Sequence, residues 1–286
     1  MKDIIIITGQ TATGKTKLAR DYALSRDGEL INCDSRQIYK HLTIICGKDL
    51  NLLQDVRIWL YDISDPKKYF SSYDFKKHAL FAIEDIASRN KIPIIVGGTY
   101  LYLKHLFYGI ETETIKPDWK LRKKFEQYSI VELQKMLKKL SVQLFKQLNQ
   151  SDRKNPQRLI RKIELATHSK AQKPKKPSQL PKVFNVKIIG LRFKNKESLR
   201  NAVEKRVAER IKNGAFEEVA KLLEAGYTKR DPGLKTIGYQ QLIAYFDGKL
   251  TKDEAIDQWI TKEIQYAKRQ YTFMKKDLNI KWREVG

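Results

Sequence analysis

The residues with the clearest chemistry are Gly9, Gln10, Thr11, Ala12, Thr13, Gly14, Lys15 and Thr16, which match G-x-x-x-x-G-K-[ST] at every fixed position. The glycines of such a loop let successive backbone N–H groups turn inward toward phosphate oxygens. Lys15 adds a point charge, Thr16 can ligate Mg2+, and the helix that follows adds its positive end. The chemistry implied is a grip on phosphate or diphosphate; the loop does not say whose. Asp34 ends the next apolar run. A carboxylate there can accept a proton from a nucleophile, or Asp34-Ser35-Arg36-Gln37 can cap a helix. Thr99 follows IPIIVGG and is either a polar contact or the N-cap of the next helix. Arg206 can deliver a cation to a departing phosphate, or lie on a solvated helix face. His41, His78, His105 and His168 show no metal-ligand spacing.

These groups need a scaffold. The β-branched run 4–8 reads as a buried strand, followed by the loop and a helix over residues 15–25. Further strands are expected at 29–33, 58–63 and 93–96, with a helix over 73–90 between the last two. Strands alternating with helices predict an α/β fold, a parallel sheet with helices on both faces. Its carboxyl edge would bring Asp34 and Thr99 beside the phosphate loop. The strand PIIV ends in Gly-Gly-Thr rather than Asp, which argues against a motor NTPase and for a compact kinase-like transferase. Residues 116–182 carry polar helical patterns, no strand-like run, and 19 Lys and Arg against 5 Asp and Glu. That excess of 14 is more than half of the chain's net +24. It marks either a solvated helical insertion or a nucleic-acid clamp. The insertion closes with the Pro/Lys-rich connector AQKPKKPSQLPK. Beyond it, VKIIGLR is a strand, 197–225 one long helix stopped by Gly226, 251–275 a basic helix, and IKWRE a last edge strand. The expected organisation is an α/β core of residues 1–112 and 183–286 with C-terminal helices, and an insertion of residues 113–182.

Composition removes whole classes. A charge of +24 over 286 residues calls for a polyanionic partner: nucleic acid, an anionic membrane surface or a phosphorylated substrate. No apolar run approaches the roughly 20 residues that span a bilayer, and the run 4–7 is too short for a signal-peptide core. Cys33 and Cys46, the only cysteines, make neither a zinc site nor a disulfide framework, so the expected setting is a reducing cytoplasm.

Several segments together resemble one family, the tRNA dimethylallyltransferases, also called tRNA isopentenyltransferases. They are GQTATGKT, NCDSRQIY, DISDPKKYFSSYDF, IPIIVGGTYLYLKHL, NPQRLIRKIE, RVAERIKNGAFEEV, KTIGYQQL and YAKRQYTFMK. Apart from the phosphate loop each is weak alone; their order and spacing along nearly the whole chain are specific. The resemblance implies transfer of the five-carbon group of dimethylallyl diphosphate to N6 of adenosine 37 of a tRNA, with release of diphosphate. Gly9 through Thr16 and Arg206 would hold the diphosphate, with Mg2+ on Thr16. Asp34 would accept from the adenine amine, with Thr99 as its polar neighbour, so Asp34, Thr99 and Arg206 are the expected catalytic groups. The tRNA anticodon arm would meet Asp34, Ser35, Arg36, Gln37 and Thr99. It would also meet Arg122, then Gln157, Arg158, Leu159, Ile160 and Arg161 of NPQRLIR. Lys235, Gly238, Tyr239, Gln240, Lys268, Arg269 and Gln270 complete the implied RNA path. The base must leave its stack to reach such a pocket, which an anticodon loop permits. By the same resemblance the protein would be a monomer.

The chain departs from the family pattern at named places. Gln10 stands where Pro is usual and Thr13 where Ser is usual; the phosphate logic survives both. After NCDSRQIY the pattern G-x-x-I-G-T-A-K-P is replaced by HLTIICGKDLN, so residues 45–50 carry no inherited assignment. Gln240 and Lys275 replace Arg, and Phe273 replaces Trp. No zinc-finger extension follows, which reads as a bacterial-type form. The alternatives are an adenylate isopentenyltransferase, which would not need the basic insertion; a non-catalytic P-loop RNA-binding protein, which would not need Asp34, Thr99 and Arg206 together; and a small-molecule kinase, which would turn over ATP.

Overall fold

A computed structural model describes residues 2–109, 116–168 and 180–286. Most of the Pro/Lys-rich connector and the 112/113 boundary lie outside the described residues. The chain divides into two compact units, one of Met1–Phe107 with Gln179–Gly286 and one of Tyr108–Ser178.

The first unit is built on a six-stranded parallel sheet in the order β3-β2-β4-β1-β5-β6. Its strands are β1 (Lys2–Gly9), β2 (Gly28–Asn32), β3 (Ile58–Trp59), β4 (Ile92–Val96), β5 (Phe184–Phe193) and β6 (Ile280–Val285). Ile4, Ile5, Ile6 and Ile7 of β1 are all essentially inaccessible, as a strand buried on both faces requires. Ile5 and Ile7 pack with Leu30, Ile94 and Val96 against Ala19 and Ala23 of α1 (Lys15–Ser25). Ile4 and Ile6 alternate to the opposite face. Helix α2 (Ser72–Ser88) packs on β2 and β4 and begins at a reciprocal capping box, Ser71 with Asp74. Helix α3 (Tyr100–Phe107) follows β4.

The second unit contains α4 (Trp119–Phe125), α5 (Ile130–Leu140), α6 (Val142–Lys146), α7 (Gln150–Arg153) and α8 (Pro156–His168). Leu133, Leu137, Leu159, Ile160 and Ile163 form its own core. Back in the first unit, α9 (Leu180–Val183) leads into β5. Then come α10 (Lys196–Lys212), α11 (Ala215–Glu224), α12 (Tyr239–Phe246) and α13 (Lys252–Met274). They share a core centred on Trp259 and Tyr239, both fully buried.

Two expected elements are corrected. The strand expected over 58–63 is only Ile58–Trp59. Leu60 (φ 69°) and Asp62 (φ 57°) are left-handed, which no strand tolerates, and Lys48 Nζ, wholly buried, ties down the turn by donating to Asp62 Oδ1 (2.7 Å) and Tyr39 O (2.6 Å). The single helix expected over 197–225 is two, α10 and α11. Gly214 (φ 96°) breaks it and serves as the N-cap of α11, a conformation that favours glycine. The break re-aims α11 so that Glu218 reaches the 43–45 segment, described below.

Candidate active site

β1 has β4 on one side and β5 on the other, so the chain reverses its direction of strand addition there. The carboxyl edge at that point is where open α/β sheets bind ligands. The phosphate loop leaves β1 at this edge. Gly9 is obligatory: with φ 130°, a Cβ would lie 2.0 Å from Leu191 O. Gln10 N donates to the same Leu191 O at 3.0 Å. Gln10 O then accepts from Thr13 Oγ1 (2.8 Å) and Lys15 Nζ (2.5 Å), so the lysine folds back on its own loop. The Thr16 hydroxyl, half-buried in the first turn of α1, has no hydrogen-bond partner among the described residues.

Positive charge gathers here without full compensation. Burial, and then Arg206, lower the Lys15 pKa to about 8, with Asp34, Asp49 and Glu263 opposing. Neighbouring Arg210, and then burial, lower Arg206 to about 10. Arg206 makes no hydrogen bond or ion pair among the described residues, and its Nε is buried without a partner. Arg210, 7 % exposed, is held by Glu263 at 3.1 Å, yet its Nε is also unpartnered. Both guanidinium groups press against Gly47, where a Cβ would lie 2.3 Å from Arg206 Nη2 and 2.8 Å from Arg210 Nη2. A cavity of ≈ 690 Å3 opens beside them, with Ile44, Leu50 and Leu52 on its apolar side. Buried cations lacking partners are costly unless an anion completes them.

The acceptor side is built from the ends of β2 and β4. Asn32 brackets Asp34, accepting from its N–H at 2.9 Å and donating to its carbonyl at 3.1 Å. Asp34 Oδ1 accepts from Arg36 N at 2.9 Å, an Asx turn, while Oδ2 has no protein partner among the described residues. Residues 35–38 are turn, not helix, and Gln37 does not reach back to Asp34. The capping-box reading of Asp34 is therefore replaced by a carboxylate with one oxygen committed and one available. The Thr99 hydroxyl accepts from Ser35 N (3.0 Å) and donates to Ser35 Oγ (3.3 Å). The Thr99 carbonyl starts α3 by accepting from Tyr102 N at 2.9 Å, so positioning and helix initiation coexist. For the Tyr266 phenol of α13, burial, and then Asp34, push the pKa up. Gln37 Nε2 donates to Cys46 O (3.2 Å) and Gly47 O (2.7 Å). Burial pushes the Cys33 thiol up and Cys46 to about 12, so neither is a thiolate nucleophile.

The residues assigned to RNA by resemblance divide by exposure. Lys235, Lys268 and Arg269 are exposed, as are Gln157 and Arg158. Arg36 reaches Pro232 O at 3.4 Å, and Gln240 Nε2 donates to Leu234 O at 2.7 Å. Several others are buried. The Leu159 and Ile160 side chains belong to the helical unit's core. Tyr239 is fully buried and donates to Glu218 at 2.5 Å. Gly238 (φ 93°) packs on Trp259 and Ile45. Gln270 is 6 % exposed. In the helical unit, fully buried Glu164 accepts from Arg122 Nη2 at 2.7 Å and is paired with Arg161. Burial pushes its carboxyl up, but Arg122, Arg161 and the Asp118 N–H together hold it below its ordinary value.

Sequence reasoning missed Glu218, Glu263, Arg210 and Tyr266. Glu218 accepts from three successive N–H groups, of Thr43 (2.9 Å), Ile44 (2.6 Å) and Ile45 (3.2 Å). It thereby shapes the stretch that departs from the family pattern. Its motif was visible, but its partners lie more than 170 residues away, and no local spacing reports such a contact.

A parallel sheet with a Gly-rich loop between its first strand and helix, and cations gathered beside that loop, define an α/β protein with a loop of the phosphate-binding sequence pattern. Residues 37–277 match the family described as IPP transferase. The chain is 35 % identical to a tRNA dimethylallyltransferase of Acetivibrio thermocellus, covering 99 % of this chain and 91 % of that one. It is 36 % identical to one of Endomicrobium trichonymphae, covering 96 % and 92 %. Among solved structures it resembles the tRNA isopentenylpyrophosphate transferase of Bacillus halodurans, with TM-score 0.72, 29 % identity and 99 % and 90 % coverage. It also resembles a eukaryotic dimethylallyltransferase acting on tRNA, with TM-score 0.80, 26 % identity and 99 % and 74 % coverage. The chain belongs to the IPP transferase family and is a prenyltransferase.

Proposed function

We propose that the protein transfers the dimethylallyl group of dimethylallyl diphosphate to N6 of adenosine 37 in tRNA, acting as a cytoplasmic monomer. The observation that carries the reading is the pairing at one sheet edge of uncompensated cations, Lys15 and Arg206, with a carboxylate oxygen, Asp34 Oδ2, left available. The first suits a diphosphate leaving group and the second a weakly nucleophilic amine.

The chemistry follows from these residues. The loop N–H groups of Ala12 through Thr16, with Lys15 and Arg206, bind the diphosphate and stabilise the charge that grows on it as the allylic C–O bond breaks. The electron pair leaves with the diphosphate. The N6 lone pair forms the new C–N bond, and its proton passes to Asp34. Thr99, tied to Ser35, fixes the turn that carries Asp34. Ile44, Leu50 and Leu52 offer the hydrocarbon an apolar wall. Mg2+, when bound, supplies further neutralisation of the diphosphate. The Thr16 hydroxyl, with no hydrogen-bond partner among the described residues, would hold it. The exposed cations of the helical unit, Arg158 foremost, would engage the anticodon arm through its phosphates.

The test is transfer of labelled dimethylallyl diphosphate into unmodified tRNA, with AMP and ATP in parallel. Label in tRNA, lost when adenosine 37 is changed, is expected. Label in AMP would move the protein to the free-nucleotide branch, and label nowhere would overturn the reading.

A further inference from the structure

Helix α13 reaches the site with one buried side chain that serves two loops. Gln270 Oε1 accepts from Thr11 N of the phosphate loop at 2.8 Å, and its Nε2 donates to Gly98 O at 3.1 Å. The approach at the second contact is close: a Cβ on Gly98 would lie 2.1 Å from Nε2 and would displace the amide. The ends of β1 and β4 are already joined by Thr8 Oγ1 to Gly97 O at 2.8 Å. Beyond that point the two loops part, one toward Lys15 and the other toward Thr99. Among the described residues Gln270 is the side chain that hydrogen-bonds both. A second amide steadies the same loop. Gln10, where the family has Pro, donates to Ala267 O (3.3 Å) and accepts from Phe193 N (2.9 Å).

We propose that Gln270 is a positioning residue, setting the distance between the loop that grips the diphosphate and the loop that carries Thr99, rather than an RNA contact. The inference rests on the reaction proposed above. Transfer requires the allylic carbon and N6 to meet at about 3–3.5 Å, and small displacements are costly in rate. An amide meets the need because one planar group must offer an acceptor to Thr11 N–H and a donor to Gly98 C=O. A carboxylate supplies the first but repels the second. A thioether supplies neither and leaves a buried N–H unpaired.

The experiment compares Gln270→Met, Gln270→Glu and Arg269→Ala. Arg269 is the exposed neighbour that an RNA-contact role would make equivalent. For Gln270→Met the single-turnover rate at saturating tRNA and donor is expected to fall about a hundredfold, with tRNA affinity held within about twofold. Faster hydrogen exchange at the Thr11 amide should accompany it. Arg269→Ala is expected to show the reverse split, with tRNA binding weakened more than the single-turnover rate. Gln270→Glu keeps length and shape if the methionine variant folds poorly. Protonation below neutral pH restores a donor toward Gly98, so its rate relative to the parent protein should rise about tenfold from pH 8 to pH 6. The inference is overturned if Gln270→Met behaves like Arg269→Ala, or if the Gln270→Glu ratio is flat with pH. Should the parent protein fail to label tRNA, the proposed function falls separately. The brace is then read by Thr11 exchange and by binding of inorganic diphosphate, and equal values in parent and Gln270→Met would overturn it.

Discussion

Two clusters of arginine in this molecule look alike in sequence and differ in kind. In the helical unit, Arg122 and Arg161 converge on Glu164, whose carboxylate is fully buried and fully engaged. In the α/β unit, burial and then Arg206 depress the Lys15 pKa, Arg210 and then burial depress that of Arg206, and the nearby carboxylates Asp34, Asp49 and Glu263 do not offset this. The first cluster is complete and contributes structure. The second is incomplete, and its missing charge matches an anionic substrate. On the proposed reaction, the degree of compensation, not the count of basic residues, is what distinguishes the two clusters.

The sharpest way to break that comparison is to remove the acceptor of the α/β unit. Asp34→Ala should lower transfer about a thousandfold or more, since one carboxylate carries the proton, while tRNA affinity stays within about threefold. Loss of both together would make Asp34 a structural group. Arg206→Gln is next. It should slow single-turnover transfer about a hundred- to thousandfold, yet leave the unfolding free energy unchanged or raised, because no ion pair is lost and an uncompensated buried cation is removed. A large stability loss would show that Arg206 is compensated after all.

The matching change in the helical unit is Glu164→Gln. It strands two arginines, so that unit should lose about 3–5 kcal/mol, read by urea denaturation with Trp119 as the reporter. Inorganic diphosphate binding should not move. The folded Glu164 carboxyl lies below its ordinary value. Its contribution is therefore present above the ordinary glutamate pKa of about 4.3 and disappears as pH falls through the folded value. The acid limb of the parent protein's stability should weaken in the variant.

Lys15 has the opposite sign. With a folded pKa of about 8 against an ordinary 10.5, the charged lysine opposes folding at low pH, and that penalty is relieved as pH rises from 8 toward 10.5. Diphosphate, by contrast, needs the charge. Affinity measured by calorimetry should fall by up to about tenfold per pH unit above pH 8, after subtraction of the ligand's own titration. A Lys15→Arg variant should lack that component, and identical profiles would remove Lys15 from the anion site.

How much of this was legible follows from where the contacts lie along the chain. The phosphate loop, β1 and α1 are local, so eight residues and a strand–helix context located them. The place of Asp34 and Thr99 at the carboxyl edge followed from alternating strands and helices alone. The break at Gly214 was written in Asn213-Gly214, but apolar periodicity ran across it and hid the turn. Glu218, Glu263 and Gln270 were illegible for another reason. Each acts on backbone or side-chain groups far along the chain, and only the fold brings them together. The resemblance placed Gln270 on the RNA path; its burial and its bonds to Thr11 N and Gly98 O turn it inward, toward the two loops.

The smallest effect probes the exposed charge of the helical unit. Arg158 is 45 % exposed and, among the described residues, its side chain is paired with Asp152 alone, so its loss leaves no buried partner behind, unlike loss of Arg161. Arg158→Ala should weaken tRNA binding about three- to tenfold across tRNA sequences, and lower the slope of log affinity against log salt by about one. Diphosphate affinity should not change. A variant with unchanged salt slope would mean that Arg158 spends its charge on Asp152, and the helical unit would then hold structural arginine throughout.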